Sequence, residues 1–261
     1  MNLDNTISAV VTGGASGLGA ETARALAERG VRVAIFDLDH TQGEAVAREV
    51  GGYFVKVDVT NAQAVAQAFS SARKQIGQER IAVNCAGIAY GAFTIRRDRK
   101  TDEIHSHSAE DFAKVISINL IGTFIVASQS AAGMAGLSPE GDDLERGVII
   151  MTASVAGSDG QIGQAAYSAS KAGVMGLTLP MSRDLARDGV RVVSVMPGLF
   201  ETPMFDKLPE KVQARLNETT VYPNRLGRPA DYAKLAIHIA ENSMLNGTCI
   251  RLDGAVRLPP A

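Results

Sequence analysis

The sequence predicts an α/β fold, a doubly wound parallel sheet with helices on both faces, in a single domain spanning residues 1–261. Three observations lead there. Short, wholly apolar runs alternate along the chain with amphipathic helical patterns, which is how strands covered on both faces read. The first run, residues 6–11 (TISAVV), leads straight into Thr12-Gly13-Gly14-Ala15-Ser16-Gly17-Leu18-Gly19 and then a strong helix former. The second run, residues 31–36, closes on an acid, Asp37.

The remaining elements follow in order. Residues 20–29 form the first helix, which Gly30 stops. Helix, strand, helix and strand are then expected over 41–50, 53–57, 61–76 and 81–84. A long helix covers 109–135, a buried strand 148–152, and a helix about 164–187. Pro180 inside that last helix cannot donate to the Gly176 carbonyl, so a local kink is expected there. The strand 190–196, helical stretches over 203–219 and 230–240, and the strand 248–252 complete the pattern. No repeat, low-complexity tract or linker divides it.

Three segments break the rhythm. Residues 91–108 are polar and basic, with Arg96, Arg97, Arg99, Lys100, His105 and His107; 136–146 is acidic; 198–224 follows a strand end. Ligands of open α/β sheets bind beyond the carboxyl ends of the strands, so the first and third of these segments are expected to wall a substrate site.

Composition narrows the function classes. A formal net charge of −2 recommends neither nucleic acid nor an anionic membrane surface as a partner. Cys85 and Cys249 lie far apart, match no metal spacing and read as free thiols suited to a reducing cytosol. His105 and His107 lack a third ligand, so no metal is expected. With no apolar run of membrane-spanning length and a first strand starting by about Thr6, a soluble cytoplasmic protein is expected.

The chemistry lies in two constellations. A glycine-rich turn between strand and helix lets backbone N–H groups approach a pyrophosphate at the helix N-terminus. Gly13, Gly17 and Gly19 stand where a Cβ would block the turn, the phosphates or the helix packing. Asp37 would accept hydrogen bonds from ribose hydroxyls and repel a 2′-phosphate, which favours NAD over NADP. Asp58, after the third strand, could bond an adenine amino group. The second constellation is Tyr167-Ser168-Ala169-Ser170-Lys171 with Ser154 upstream. On a helix, Tyr167 and Lys171 share a face. The ammonium would favour the phenolate and make Tyr167 a proton donor and acceptor near neutral pH. Alone, such a spacing is common on ordinary helices; the glycine-rich N-terminus gives it weight.

Together these motifs resemble the short-chain dehydrogenase/reductase family over essentially the whole chain. The resemblance rests on Thr12 to Gly19, Asp58-Val59, Asn84-Cys85-Ala86-Gly87, Asn119, Ser154, Tyr167-x-x-x-Lys171 and Pro197-Gly198, in the family's order and spacing. It implies a Rossmann sheet, a nicotinamide cofactor, and Asn119, Ser154, Tyr167 and Lys171 as the catalytic set. Gly13, Ser16, Gly17, Leu18, Gly19, Asp37, Asp58, Val59, Asn84, Ala86, Gly87, Pro197 and Gly198 would hold the cofactor with Tyr167 and Lys171, and Thr202 would hold the carboxamide. The second half, including Gly160 to Tyr167, Leu208 to Val212 and Arg251 to Ala255, is similar to a branch that oxidises (S)-3-hydroxyacyl-CoA with NAD as a homotetramer. That implies an acyl-CoA substrate touched by Ser154, Gln161 and Tyr167. Other readings are a dehydrogenase of another secondary alcohol or steroid, a 3-oxoacyl-carrier-protein reductase, which Asp37 disfavours, and a non-catalytic nucleotide-binding scaffold.

Overall fold

The computed structural model describes residues 1–206 and 220–260. Its centre is a seven-stranded sheet in the order β3-β2-β1-β4-β7-β8-β9, all neighbours parallel. The strands are β1 (Ser8–Thr12), β2 (Arg32–Asp37), β3 (Tyr53–Lys56), β4 (Ile81–Asn84), β7 (Gly147–Thr152), β8 (Val190–Pro197) and β9 (Cys249–Leu252). The order reverses between β1 and β4, and the crevice beyond those strand ends is where such sheets bind ligands.

The faces of the sheet can be read from β1. Ala9 and Val11 point into a core shared with Ala23 and Leu26 of α1 (Gly17–Glu28) and Tyr232 and Ile239 of α8 (Pro229–Glu241). Val10 points the other way, towards Val65 and Phe69 of α3 (Ala62–Ile76) and Val126 of α5 (Thr123–Ala135). A third cluster joins α5 and α6 (Ala165–Asp184) to β7 and β8 through Met134, Ile149, Val174 and Val192. The α2 helix (His40–Glu49) begins under an Asp39 side chain that accepts from the Gln42 N–H.

Four expectations are refined. The helix expected over 109–135 is α4 (Ala109–Ile116) and α5 separated by a π-helical turn, Ser117–Gly122. By length and apolar content the whole run could cross a membrane, but Val126, Ala131 and Met134 pack it onto the sheet. The basic segment 91–108 carries an antiparallel hairpin, β5 (Ile95–Arg97) with β6 (Ile104–Ser106). The helix expected over about 164–187 is α6, which runs through Pro180, on an exposed face, and ends at Asp184. The helix expected over 203–219 is seen as α7 (Pro203–Asp206), and the rest, with Leu208 to Val212, lies outside the described residues.

Candidate active site

The glycine-rich turn is built by backbone contact. Gly13 has φ +64° and Gly17 φ +52°, conformations that L side chains rarely adopt. A Cβ on Gly19 would sit 2.2 Å from the Gly13 carbonyl oxygen, and one on Gly13 would sit 2.7 Å from the Ala86 nitrogen. The turn is thus wedged between α1 and the Asn84-Cys85-Ala86-Gly87 segment. Ser16 precedes α1 without a side-chain cap, so the first-turn N–H groups of Gly17, Leu18 and Gly19 are left for an anion.

Asp37 is pre-oriented: one carboxylate oxygen accepts from the Ala15 N–H at 3.0 Å and the other from the Asp39 N–H at 3.0 Å. Asp58 is exposed and held in a turn by the Thr60 N–H and hydroxyl, and the adjacent Val59 is buried. Thr202 lies against the turn, its methyl 3.4 Å from where a Gly17 Cβ would stand, so the Pro197-Gly198 segment returns to the same crevice. Asn84 is 2% exposed, and neither end of its amide has a hydrogen-bond partner among the described residues. A cradle that admits no Cβ, a free helix N-terminus, an oriented acid and an orphaned buried amide at the crevice all fit a dinucleotide.

On the other wall, Ser154 accepts from the Ala156 N–H at 3.1 Å and begins a 3-10 turn, Val155–Gly157. Tyr167 and Lys171 stand one turn apart on α6, the ammonium 5.9 Å from the phenol ring centroid. Lys171 is 5% exposed and donates to the Thr152 carbonyl at 2.7 Å. Burial pulls its pKa down to about 8, the Cys85 thiol opposing the fall. For Tyr167, burial raises the phenol and the Ser154 hydroxyl draws it back. The expected lowering by Lys171 therefore does not govern the free chain, because the ammonium is itself desolvated and directed at a carbonyl.

Asn119 lies in the π-helical turn, fully buried. Its amide accepts from the Ile88 N–H at 2.8 Å and donates to the Ile88 carbonyl at 2.9 Å and the Ser170 hydroxyl at 3.1 Å. A Gly87 Cβ would stand 3.1 Å from the Asn119 carboxamide oxygen and 3.6 Å from the Lys171 nitrogen, so the three meet at one point. Gln161 spends its side-chain N–H groups on the Pro259 carbonyl at 3.0 Å, and the Ile162 N–H donates to the Pro260 carbonyl. The chain's tail thus braces the loop before Tyr167.

Sequence reasoning missed one group of side chains, Cys85, Thr152 and Tyr232, which hydrogen-bond to one another behind Lys171. The available signal was a tyrosine at a core position of an Ala- and Ile-rich helix, since a buried phenol needs a partner.

A parallel sheet with a phosphate-type cradle at its switch point, facing Ser154, Tyr167 and Lys171 across the crevice, is the architecture of a dinucleotide-dependent oxidoreductase. The model of the short chain dehydrogenase family matches residues 8–213, and the chain belongs to that family. It is 48% identical over 260 residues to 3-hydroxyacyl-CoA dehydrogenase type-2 of Drosophila melanogaster, covering 99% of this chain and 100% of that one. The Homo sapiens protein of the same name is 47% identical over 254 residues, 97% of this chain and 95% of that one. A crystal structure of 3-hydroxyacyl-CoA dehydrogenase type-2 from Mycobacterium avium superposes with a TM-score of 0.91 at 38% identity, covering both chains fully.

Proposed function

We propose that the chain interconverts (S)-3-hydroxyacyl-CoA and 3-oxoacyl-CoA with NAD. The observation that carries the reading is full-length similarity to proteins of that name, joined to a site whose side chains suit the reaction. A bound nicotinamide would supply the acceptor for the hydride that leaves C3. Tyr167 takes the C3 hydroxyl proton, and Ser154 hydrogen-bonds the oxygen as it becomes a carbonyl. Lys171 supplies positive charge beside Tyr167, and Asn119 holds the Gly87-Ile88 turn against both. Asp37 would meet the ribose hydroxyls with its oriented carboxylate and disfavour a 2′-phosphate.

For the thioester, the β5–β6 hairpin hangs beside the loop that precedes Tyr167, the Ala92 N–H donating to the Gly163 carbonyl at 2.8 Å. Its exposed Arg96, Arg97, Arg99 and Lys100 suit the phosphates of coenzyme A. A homotetramer is supported by exposed Phe112 on α4, Ile121 in the π-helical turn and Phe124 on α5, beside exposed Ala165, Ala169 and Gly176 on α6. A monomer mass by light scattering would remove that assembly.

The deciding measurement is the initial rate of acetoacetyl-CoA reduction with NADH and, separately, NADPH. Brisk oxidation of NADH with little of NADPH is expected. No thioester reduction while NADH still binds would overturn the substrate class and turn attention to other ketones. Tyr167→Phe is expected to cut turnover by about 10²–10⁴-fold, the usual worth of a positioned acid-base group, without weakening NADH binding.

A further inference from the structure

Two buried hydroxyls, of Thr152 and Tyr232, and the half-buried Cys85 thiol close a ring under Lys171. The Thr152 hydroxyl, at the end of β7, lies 2.7 Å from the Tyr232 hydroxyl of α8. It also reaches the Cys85 sulfur at 3.5 Å, and the Cys85 thiol reaches the Tyr232 oxygen at 3.7 Å. Tyr232 donating to Thr152, Thr152 to Cys85 and Cys85 to Tyr232 satisfies each member once as donor and once as acceptor. Tyr232 is fully buried and Thr152 is 9% exposed, so this arrangement replaces apolar packing with groups costly to bury unless paired. Packing alone would be served by Phe, Val and Ala.

Thr152 is the member that connects to the chemistry, since its carbonyl oxygen is the hydrogen-bond acceptor of the Lys171 ammonium at 2.7 Å. Resting on the reading that Lys171 serves Tyr167, we propose that Tyr232 is a positioning residue of the proton-transfer centre. Its hydroxyl fixes Thr152, and the Thr152 carbonyl in turn fixes Lys171. The titratable groups facing Lys171 are Tyr167 on its own helix and Cys85 beyond β4. If the carbonyl is free to turn away, the ammonium loses its acceptor, its charged form is disfavoured, and Lys171 titrates at lower pH.

The test follows Lys171 directly, by NMR titration of the full chain carrying ¹³Cε-labelled lysine, with Lys171→Arg to assign the resonance. Tyr232→Phe and Thr152→Val are each expected to lower the Lys171 midpoint by about half a pH unit or more, and the double variant by no more than either alone. Thr152→Ser keeps the hydroxyl and should titrate like wild type. If Tyr232→Phe does not fold, the Thr152→Val and Thr152→Ser pair decides. A wild-type midpoint in Tyr232→Phe, or equal shifts in Thr152→Ser and Thr152→Val, would overturn the proposal. In thioester reduction, Tyr232→Phe should lose about fivefold in kcat with an unchanged KM for NADH, about the worth of one hydrogen bond. If the wild-type chain reduces no thioester, the proposed function fails while the lysine titration still decides this inference.

Discussion

The two sides of the crevice are built by opposite means. The side proposed to hold the cofactor is mainly backbone: glycines with positive φ, a helix N-terminus, and a carboxylate held by the Ala15 and Asp39 N–H groups. The proposed substrate mouth presents side chains, on a short hairpin carrying exposed arginines and on a loop braced by the tail through Gln161 and Ile162. Backbone recognition needs particular residues at a few fixed spacings and tolerates nearly anything between them. Side-chain recognition spreads over positions that can be exchanged and re-spaced. Substitutions on the first side should therefore cost the fold or the cofactor, and those on the second should change only how substrate binds.

Gly19→Ala presses hardest on that contrast. The added methyl would meet the Gly13 carbonyl at 2.2 Å, backbone against backbone, so no side chain can swing aside to relieve it. The expected outcome is a loss of more than about 3 kcal/mol of stability, or a folded chain that no longer binds NADH. Chemical denaturation and NADH fluorescence titration read the two losses. A variant that kept wild-type stability and affinity would show that the cradle is softer than its contacts indicate.

That division explains what the sequence made legible. Gly13, Gly17, Gly19 and Asp37 were readable because close approach leaves a fixed spacing, and Tyr167 and Lys171 because one helical turn separates them. The break at Ser117–Gly122 was not, since apolar periodicity continues through it. It depends on distant partners: Gly122 lies so close to Val59 that a Cβ would stand 2.7 Å from its side chain, and the Asn119 amide is spent on Ile88. The hairpin was hidden because strands of three residues give no alternation to count. Pro180 falls inside α6, which continues to Asp184. Cys85, Thr152 and Tyr232 lie in three separate elements, and nothing local ties them together.

Lys171 sharpens the comparison as a buried charged side chain on the wall facing the glycine turn. Its pKa falls from 10.5 to about 8 through burial, a folding penalty on the order of 3 kcal/mol at neutral pH. Between these two values the unfolded chain binds more protons at this site than the folded one, so stability rises with pH across that window. Lys171→Met removes the group. Relative to this variant, the wild-type chain should gain stability as pH rises from about 8 towards 10.5, and the difference should be flat below about 7. Urea denaturation of both proteins across the range checks it. A difference flat throughout would place the Lys171 ammonium in a solvated setting, against its 5% exposure.

The smallest expected effect belongs to the mouth, and it tests whether the hairpin recognises phosphate. Arg97 is already paired with Asp102 at 2.8 Å, whereas Arg99 and Lys100 have no ion pair among the described residues. Exposed cations of this kind contribute little to stability but can steer and hold an anion. Arg99→Ala with Lys100→Ala should raise KM for acetoacetyl-CoA by about three- to tenfold, leave kcat unchanged and leave unfolding where it was. Arg97→Ala should do less, because its charge is already shared. The increase should shrink as salt rises, since ions screen exposed charges over about 10 Å at 0.1 M. A phosphate-free thioester of acetoacetate supplies the control, as it offers Arg99 and Lys100 no phosphate to bind. If its KM rose as much as that of the coenzyme A ester, the hairpin would be shaping the loop through the Ala92–Gly163 link, and the mouth would owe its specificity to backbone after all.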